Sequence, residues 1–171
     1  MAKSLAAFLA LVLACAVLLA LTYAITRPRI DHNRAKRFTE SVHLLLGESE
    51  ALPAIRWEND VWHLCNGRAL VRGSTRGYGG PLRWLTAVSV AGTEPVLLGL
   101  SITQHQETPG IADFIGRPDD PWMRELIGRA PDGLDDVAAV TGATITSRAV
   151  VAAIRSALQH PGLDAEPACQ P

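Results

Sequence analysis

Four side-chain hydroxyls fall within seven residues in the segment Thr141-Gly-Ala-Thr-Ile-Thr-Ser147, and an apolar-periodic run begins directly behind them. Hydroxyls donate and accept hydrogen bonds, so Thr141, Thr144, Thr146 and Ser147 could surround an oxygen-rich group or cap a helix. If Thr146 or Ser147 is the N-cap, residues 141–144 lie at a helix amino end. Free backbone N–H groups and the positive end of the helix dipole attract a phosphate there. Gly142 lets the backbone turn or approach a ligand, and Ala143 adds little bulk. From spacing alone, ordinary helix capping and an anion site both stay open.

Other reactive residue types do not assemble into a site by spacing. His105, Glu107 and Asp113 would make a thin ligand set for zinc, which takes three or four convergent groups, and no metal is expected. Glu107-Thr-Pro-Gly110 reads as a turn, with proline and glycine where turns need them. Cys15 sits in an apolar run, Cys65 stands alone and Cys169 lies in a Pro-rich end, so no disulfide framework is indicated. Neither the Gly-x-Ser-x-Gly elbow nor the Gly-x-Gly-x-x-Gly nucleotide fingerprint occurs. A net charge of −1 gives no electrostatic basis for binding nucleic acid.

The elements that must position the hydroxyl cluster begin with an anchor. Ser4 to Thr26 carries no charge and, at 1.5 Å per residue, would reach about 34 Å as a helix, enough to cross a bilayer core. That length favours an uncleaved transmembrane helix over a signal peptide. Arg27, Arg29, Arg34, Lys36 and Arg37 follow it, and the positive-inside rule applied to them would place the remainder in the cytoplasm. Ala35, Phe38, Val42, Leu45 and Leu46 then repeat at helical spacing up to Gly47, predicting a juxtamembrane amphipathic helix from Asp31. Strands are predicted at 61–64, 69–72, 82–90 and 96–104, the last two joined as an antiparallel hairpin by Ala91-Gly-Thr-Glu-Pro95. A short helix follows Asp120-Pro121, and a longer one runs from Arg148 to Gln159 with Val150, Val151, Ile154, Ala157 and Leu158 apolar. Trp57, Trp62, Trp84 and Trp122 read as core or interface anchors.

The fold class is therefore α+β: one N-terminal transmembrane helix, then one mixed domain with an antiparallel sheet and flanking helices. The expected division is an anchor over 1–26, the amphipathic helix over 27–47, the domain over 48–160 and a flexible tail over 161–171.

Three segments in order carry a resemblance. Thr141-Gly-Ala-Thr144 is similar to the Ser/Thr-Gly-Ala-Thr flavinylation motif of the FMN-binding domain family. His105-Gln-Glu-Thr-Pro-Gly110 resembles that family's His-x-Glu-Thr-Pro-Gly stretch, and Gly77-Tyr-Gly-Gly-Pro-Leu82 its Gly-Tyr-x-Gly-Pro segment. Within the family the likeness is to the G subunits of Rnf-type electron transport complexes, with the C subunits of sodium-pumping NADH:quinone reductases as relatives. The resemblance implies FMN as cofactor, joined to Thr144 by a phosphoester, with Thr141, Gly142, Ala143, Thr146 and Ser147 around the phosphate. It also implies that Glu107, Thr108 and Gly110 line the flavin pocket. In that family a separate flavin transferase moves FMN from FAD onto the threonine and reads an aspartate three residues before the motif. Here that position is Ala138, with Asp135 and Asp136 ahead of it.

A chain of this kind is expected to act as an electron carrier rather than as an enzyme on its own. Its partners would be the other subunits of an Rnf-type complex that couples electron transfer between ferredoxin and NAD to ion movement, together with membrane lipid. The resemblance places the domain in the periplasm, anchored in the bacterial inner membrane, against the direction of the flanking charges. The alternatives are a carrier subunit of a related quinone reductase and a flavin-free, membrane-anchored binding or scaffold protein.

Overall fold

A computed structural model describes residues 2–47, 57–64 and 66–164. Helix α1 spans Ala2–Leu46, so the charge-free stretch and the predicted amphipathic helix form one element rather than two. The change in composition after Thr26 marks a change of surroundings, not a break in the backbone. Pro28 lies inside the helix. Around it, Asp31 sits within 3.8 Å of Arg27 and 3.7 Å of Arg34, pairs that support a helix by a few tenths of a kcal/mol (~0.2–0.5) each. Thr22 and Thr26 donate their hydroxyls to the carbonyls of Leu18 and Thr22, both at 2.8 Å, so neither polar group is left unpaired in the apolar stretch. The helix is long and apolar enough to cross a membrane.

The chain divides into two compact units, Met1–Thr39 and Glu40–Pro171. The second is built on an antiparallel sheet of β1 (Val61–Leu64), β2 (Arg68–Arg76), β3 (Pro81–Ser89) and β4 (Val96–Gln104), in that order across the sheet. β2 runs four residues past its predicted end, because Gly73 to Arg76 pair with Pro81 to Trp84 of β3. Gly and Ser weakened the strand signal there, but the register supplied by β3 overrides propensity.

Helix α3 (Thr144–Leu158) covers one face of the sheet. Its Val150, Ala153, Ile154, Ala157 and Leu158 pack with Val71, Leu82, Trp84, Val88 and Leu97 in a continuous core. Val150, Ile154 and Leu158 are almost fully buried, worth roughly 1.5–3 kcal/mol each in apolar area removed from water. The alternate residues Leu70, Leu85 and Ala87 are also fully buried, so β3 is buried on both sides along its second half. The last turns of α1 contribute to that opposite face. Gly99, in one row with Leu70 and Ala87, faces Leu45, and a Cβ there would approach Leu45 Cδ2 to 2.7 Å. Ser101 donates to the Ser41 hydroxyl at 2.9 Å on the same side.

Helix α2 (Pro121–Glu125) starts as predicted, with the Asp120 carboxylate accepting from the Trp122 N–H at 3.0 Å. Pro161–Asp164 form a 3-10 turn that buries Leu163 and is reached by His63, whose Nε2 lies 2.8 Å from the Gly162 carbonyl. The ordered chain thus continues into the stretch expected to be a tail, whose last residues, 165–171, lie outside the described residues, as does Cys65.

Candidate functional site

The β2–β3 turn, the loop leaving β4 and the amino end of α3 meet at one buried carboxylate. Glu107 is only 6% exposed. Its Oε1 accepts from the Gly79 N–H at 3.0 Å and its Oε2 from the Thr146 hydroxyl at 2.5 Å. The glycines of the turn are required by contact. A Cβ on Gly79 would collide with the Gln106 carbonyl oxygen, and one on Gly77 with Glu107 Oε1 and Leu82. The Gly77 N–H donates to the Gly80 carbonyl at 2.8 Å and closes the turn. The three sequence segments, 28 and 39 residues apart at these bonds, are therefore one structural unit.

A cavity of about 430 Å³ opens beside that carboxylate, within the usual range of small-molecule sites. Glu107, Thr108, Gly142, Ala143, Thr144 and Thr146 line it, together with Tyr78, Ile111, Ala112 and Ile145. Tyr78, Ile111 and Ile145 are more than half exposed, each large and each from a different segment. An apolar rim of this kind around a partly polar cavity suits a flat ring with a polar tail. Among the hydroxyls of the motif, Thr146 is committed to Glu107, and Ser147 donates to the Ala143 carbonyl at 3.0 Å. Thr144 is exposed on the cavity wall.

The helix begins at Thr144, not behind Thr146 or Ser147. Ala143 is the N-cap and contributes no side-chain bond, so the expectation of a Thr146 or Ser147 cap is corrected. Both side chains instead point into the protein from inside the first turn, where Glu107 and the preceding loop supply better partners than the helix's own amides. The Ser147 hydroxyl accepts from the Val140 N–H at 3.1 Å and pins that loop to the helix. The first backbone bond of the helix runs from the Ser147 N–H to the Ala143 carbonyl at 2.9 Å. Hence the N–H groups of Thr144, Ile145 and Thr146 are without intrahelical acceptors, and a phosphate ester on Thr144 would lie at the positive end of the dipole.

Not every sequence-selected residue lines the cavity. Thr141 is exposed in the preceding turn and Ser147 faces away. Gly110 is outside the lining as well: it has open space around it and φ +83°, and its N–H donates to Asp113 Oδ1 at 2.8 Å. Glycine is needed there for the backbone conformation, and Asp113 serves as the acceptor that closes the turn. The His105 Nδ1 accepts from the Glu107 N–H at 3.3 Å. Ala138 is exposed, with its carbonyl bonded to Trp122 Nε1 at 2.7 Å, while Asp135 is held by Arg155 at 2.5 Å. Sequence reasoning passed over Tyr78, Ile111 and Ile145 as site residues, although each lies inside or beside a motif segment.

A larger cavity, about 620 Å³, runs along another face of α3, lined by Trp122, Asp135, Arg148 and Arg155 among others. Size alone would choose it. The smaller cavity is the better site because all three motif segments converge there and an exposed hydroxyl stands at a helix start.

Residues 77–159 match the FMN-binding domain family. The likeness of this segment is to an FMN-binding domain, and FMN is its cofactor. The match begins at the first glycine of the β2–β3 turn and ends just past α3, so it encloses the cavity and every contact of Glu107. Over 155 residues the chain is 25% identical to the G subunit of the proton-translocating ferredoxin:NAD(+) oxidoreductase complex of Clostridium ljungdahlii, covering 84% of this chain and 82% of the relative. It is 30% identical over 102 residues to the G subunit of the Na(+)-translocating ferredoxin:NAD(+) oxidoreductase complex of Acetobacterium woodii, covering 54% and 48%. Over 92 residues it is 36% identical to the G subunit of the ion-translocating oxidoreductase complex of Escherichia coli strain K12, covering 47% and 43%. The chain thus spans about half the length of the latter two relatives. The donor set of the smaller cavity fits FMN: unpaired helix N–H groups for a phosphate, a free hydroxyl beside them, and apolar side chains for a ring.

Proposed function

We propose that this chain is the electron-carrying flavoprotein subunit of a membrane-bound Rnf-type complex, with FMN joined to Thr144 as a phosphoester. The observation that carries the reading is the position of Thr144: exposed, first in α3, and on the wall of the cavity where the motif segments meet. FMN supplies electron transfer, and the protein supplies position and electrostatics. The hydroxyl of Thr144 would tether FMN, the amino end of α3 would balance the phosphate charge, and Tyr78, Ile111 and Ile145 would hold the ring. Relatives named as subunits of ferredoxin:NAD(+) oxidoreductase complexes support a role in passing electrons between ferredoxin and NAD with coupled ion movement. The chain is then a carrier, and the oxidoreductase activity belongs to the assembly.

In this reading residues 1–26 anchor the chain in lipid, residues 27–47 lead away from the membrane, and the domain over 48–160 stands in the periplasm, where a flavin transferase loads it. Intact-mass measurement of the full chain made with an active flavin transferase tests the linkage. One FMN adduct is expected, absent in Thr144→Ala; an unmodified mass would defeat it. Ala138 supports a second reading, in which the same cavity holds FMN without an ester. Residue 138 itself carries no carboxylate, and Arg155 holds Asp135. Flavin released on denaturation would favour that reading, and Ala138→Asp should then restore attachment.

A further inference from the structure

We propose that Glu107 is the positioning residue of this site, and that its buried negative charge holds down the reduction potential of a flavin in the cavity. The proposal rests on the reading above that FMN occupies this cavity.

Among the described residues no lysine, arginine or histidine forms an ion pair with Glu107. Burying a carboxylate without a cation is costly unless hydrogen bonds replace its water. Here two donors do so, and the amino end of α3 adds favourable partial charge. The 2.5 Å contact from Thr146 lies in the range of a charge-assisted O–H···O⁻ bond. A glutamine could satisfy the same two partners, accepting from the Gly79 N–H and donating to the Thr146 oxygen, with a smaller desolvation cost. What glutamate adds is the charge.

That charge stands on the cavity wall, where low dielectric carries its effect further than in water. Each electron added to a flavin ring brings negative charge unless a proton accompanies it. A fixed negative neighbour opposes that gain and lowers the potential. The same carboxylate, by holding Thr146 and Gly79 together, sets the first turn of α3 and the β2–β3 turn against each other. Thr144 is thereby presented on the wall with its hydroxyl uncommitted.

The test is a dye-mediated dithionite titration of the full-length, flavin-loaded chain in detergent, with flavin content measured first. Glu107→Gln should retain flavin and shift the midpoint potential upward; an unchanged or lower potential overturns the proposal. Thr146→Ser keeps both the donor and the charge while trimming the side chain, so its potential should match that of the parent. A rise there would show that geometry, not charge, sets the potential, and would overturn the proposal even if Glu107→Gln fails to fold. A parent chain without flavin would instead sink the reading on which the proposal rests. Amide exchange then tests the positioning half alone: Glu107→Ala, which removes both bonds, should accelerate exchange at Gly79 and at Ser147 while Glu107→Gln stays near the parent, and equal rates in parent and Glu107→Ala would overturn it.

Discussion

Substituting Gly79 by alanine tests whether the meeting of the β2–β3 turn with the loop after β4 is a real constraint. Gly79 does not adopt a left-handed φ, so alanine suits its backbone. In the absence of contact, Gly79→Ala should then stabilise the protein by about 0.4–1 kcal/mol, because alanine has less freedom to lose on folding. The structure reverses that sign. The new Cβ would run into the Gln106 carbonyl oxygen, and backbone cannot swing aside as the end of a side chain can. Overpacking of this kind costs about 1–3 kcal/mol. The shift would also stretch the 3.0 Å bond from the Gly79 N–H to Glu107, leaving a buried carboxylate oxygen short of a donor, for a further ~1–3 kcal/mol. The net expectation is destabilisation of roughly 1–5.5 kcal/mol, which for a unit of this size lowers the thermal midpoint by roughly 4–20 °C. Circular dichroism melts of the loaded chain, with flavin content read on the same samples, measure both effects. A melting point equal to or above that of the parent would refute the packing argument outright.

Ser147→Ala should cost about 0.5–1.5 kcal/mol, since the part-buried Val140 N–H loses its acceptor; flavin stays attached to Thr144, as an adduct mass on a less stable protein would show. Gly110→Ala should cost about 1–2 kcal/mol through its positive φ alone, with an unchanged flavin absorption spectrum; an altered spectrum would return Gly110 to the pocket. Arg155→Ala breaks a largely solvent-exposed ion pair with Asp135 and should move the melting point by no more than about 1 kcal/mol equivalent. For topology, an alkaline phosphatase fused after Pro171 should be active and protease added to spheroplasts should reach the domain. An inactive fusion with a protected domain would show that Arg27, Arg29, Arg34, Lys36 and Arg37 decide the orientation instead.

Much of the fold was legible because its signals were local. Val61–Leu64 and Val96–Gln104 are bounded by turns and are rich in apolar residues, and both strands occur at the predicted bounds. Asp120-Pro121 places a cap acceptor and a pre-set φ side by side, and α2 begins there. What escaped were features set by partners distant in sequence. The extension of β2 through Gly73 to Arg76 depends on β3. Burial of Leu85 and Ala87 depends on cover for the second face of the sheet, which a period-two reading of one strand cannot supply. The continuity of α1 was hidden for the opposite reason: a sharp change in composition looks like an element boundary even where every residue but Pro28 can continue the helix.

The site divides along the same line. A hydroxyl cluster ahead of an apolar helix identifies an anion-friendly helix start, but it cannot say which hydroxyl is free. Thr141, Thr144, Thr146 and Ser147 are equivalent in spacing arguments, and only tertiary contacts separate them: Glu107 takes Thr146, and the Val140–Ala143 loop takes Ser147. Glu107 was selected as a residue facing the ligand. Its bonds show both oxygens already engaged by the protein, so whatever it does to a bound flavin acts through charge and through the placement of Thr146, Gly79 and the first turn of α3. The resemblance implies a place for Gly110 in the pocket lining, whereas the structure leaves open space where its Cβ would stand and gives it a backbone angle that accounts for glycine. Residue type and motif order therefore selected the segments that meet at the cavity. The assignment of roles within them follows from which hydrogen-bonding groups the fold has already satisfied, and Thr144 stands out because the fold leaves it exposed at a helix start.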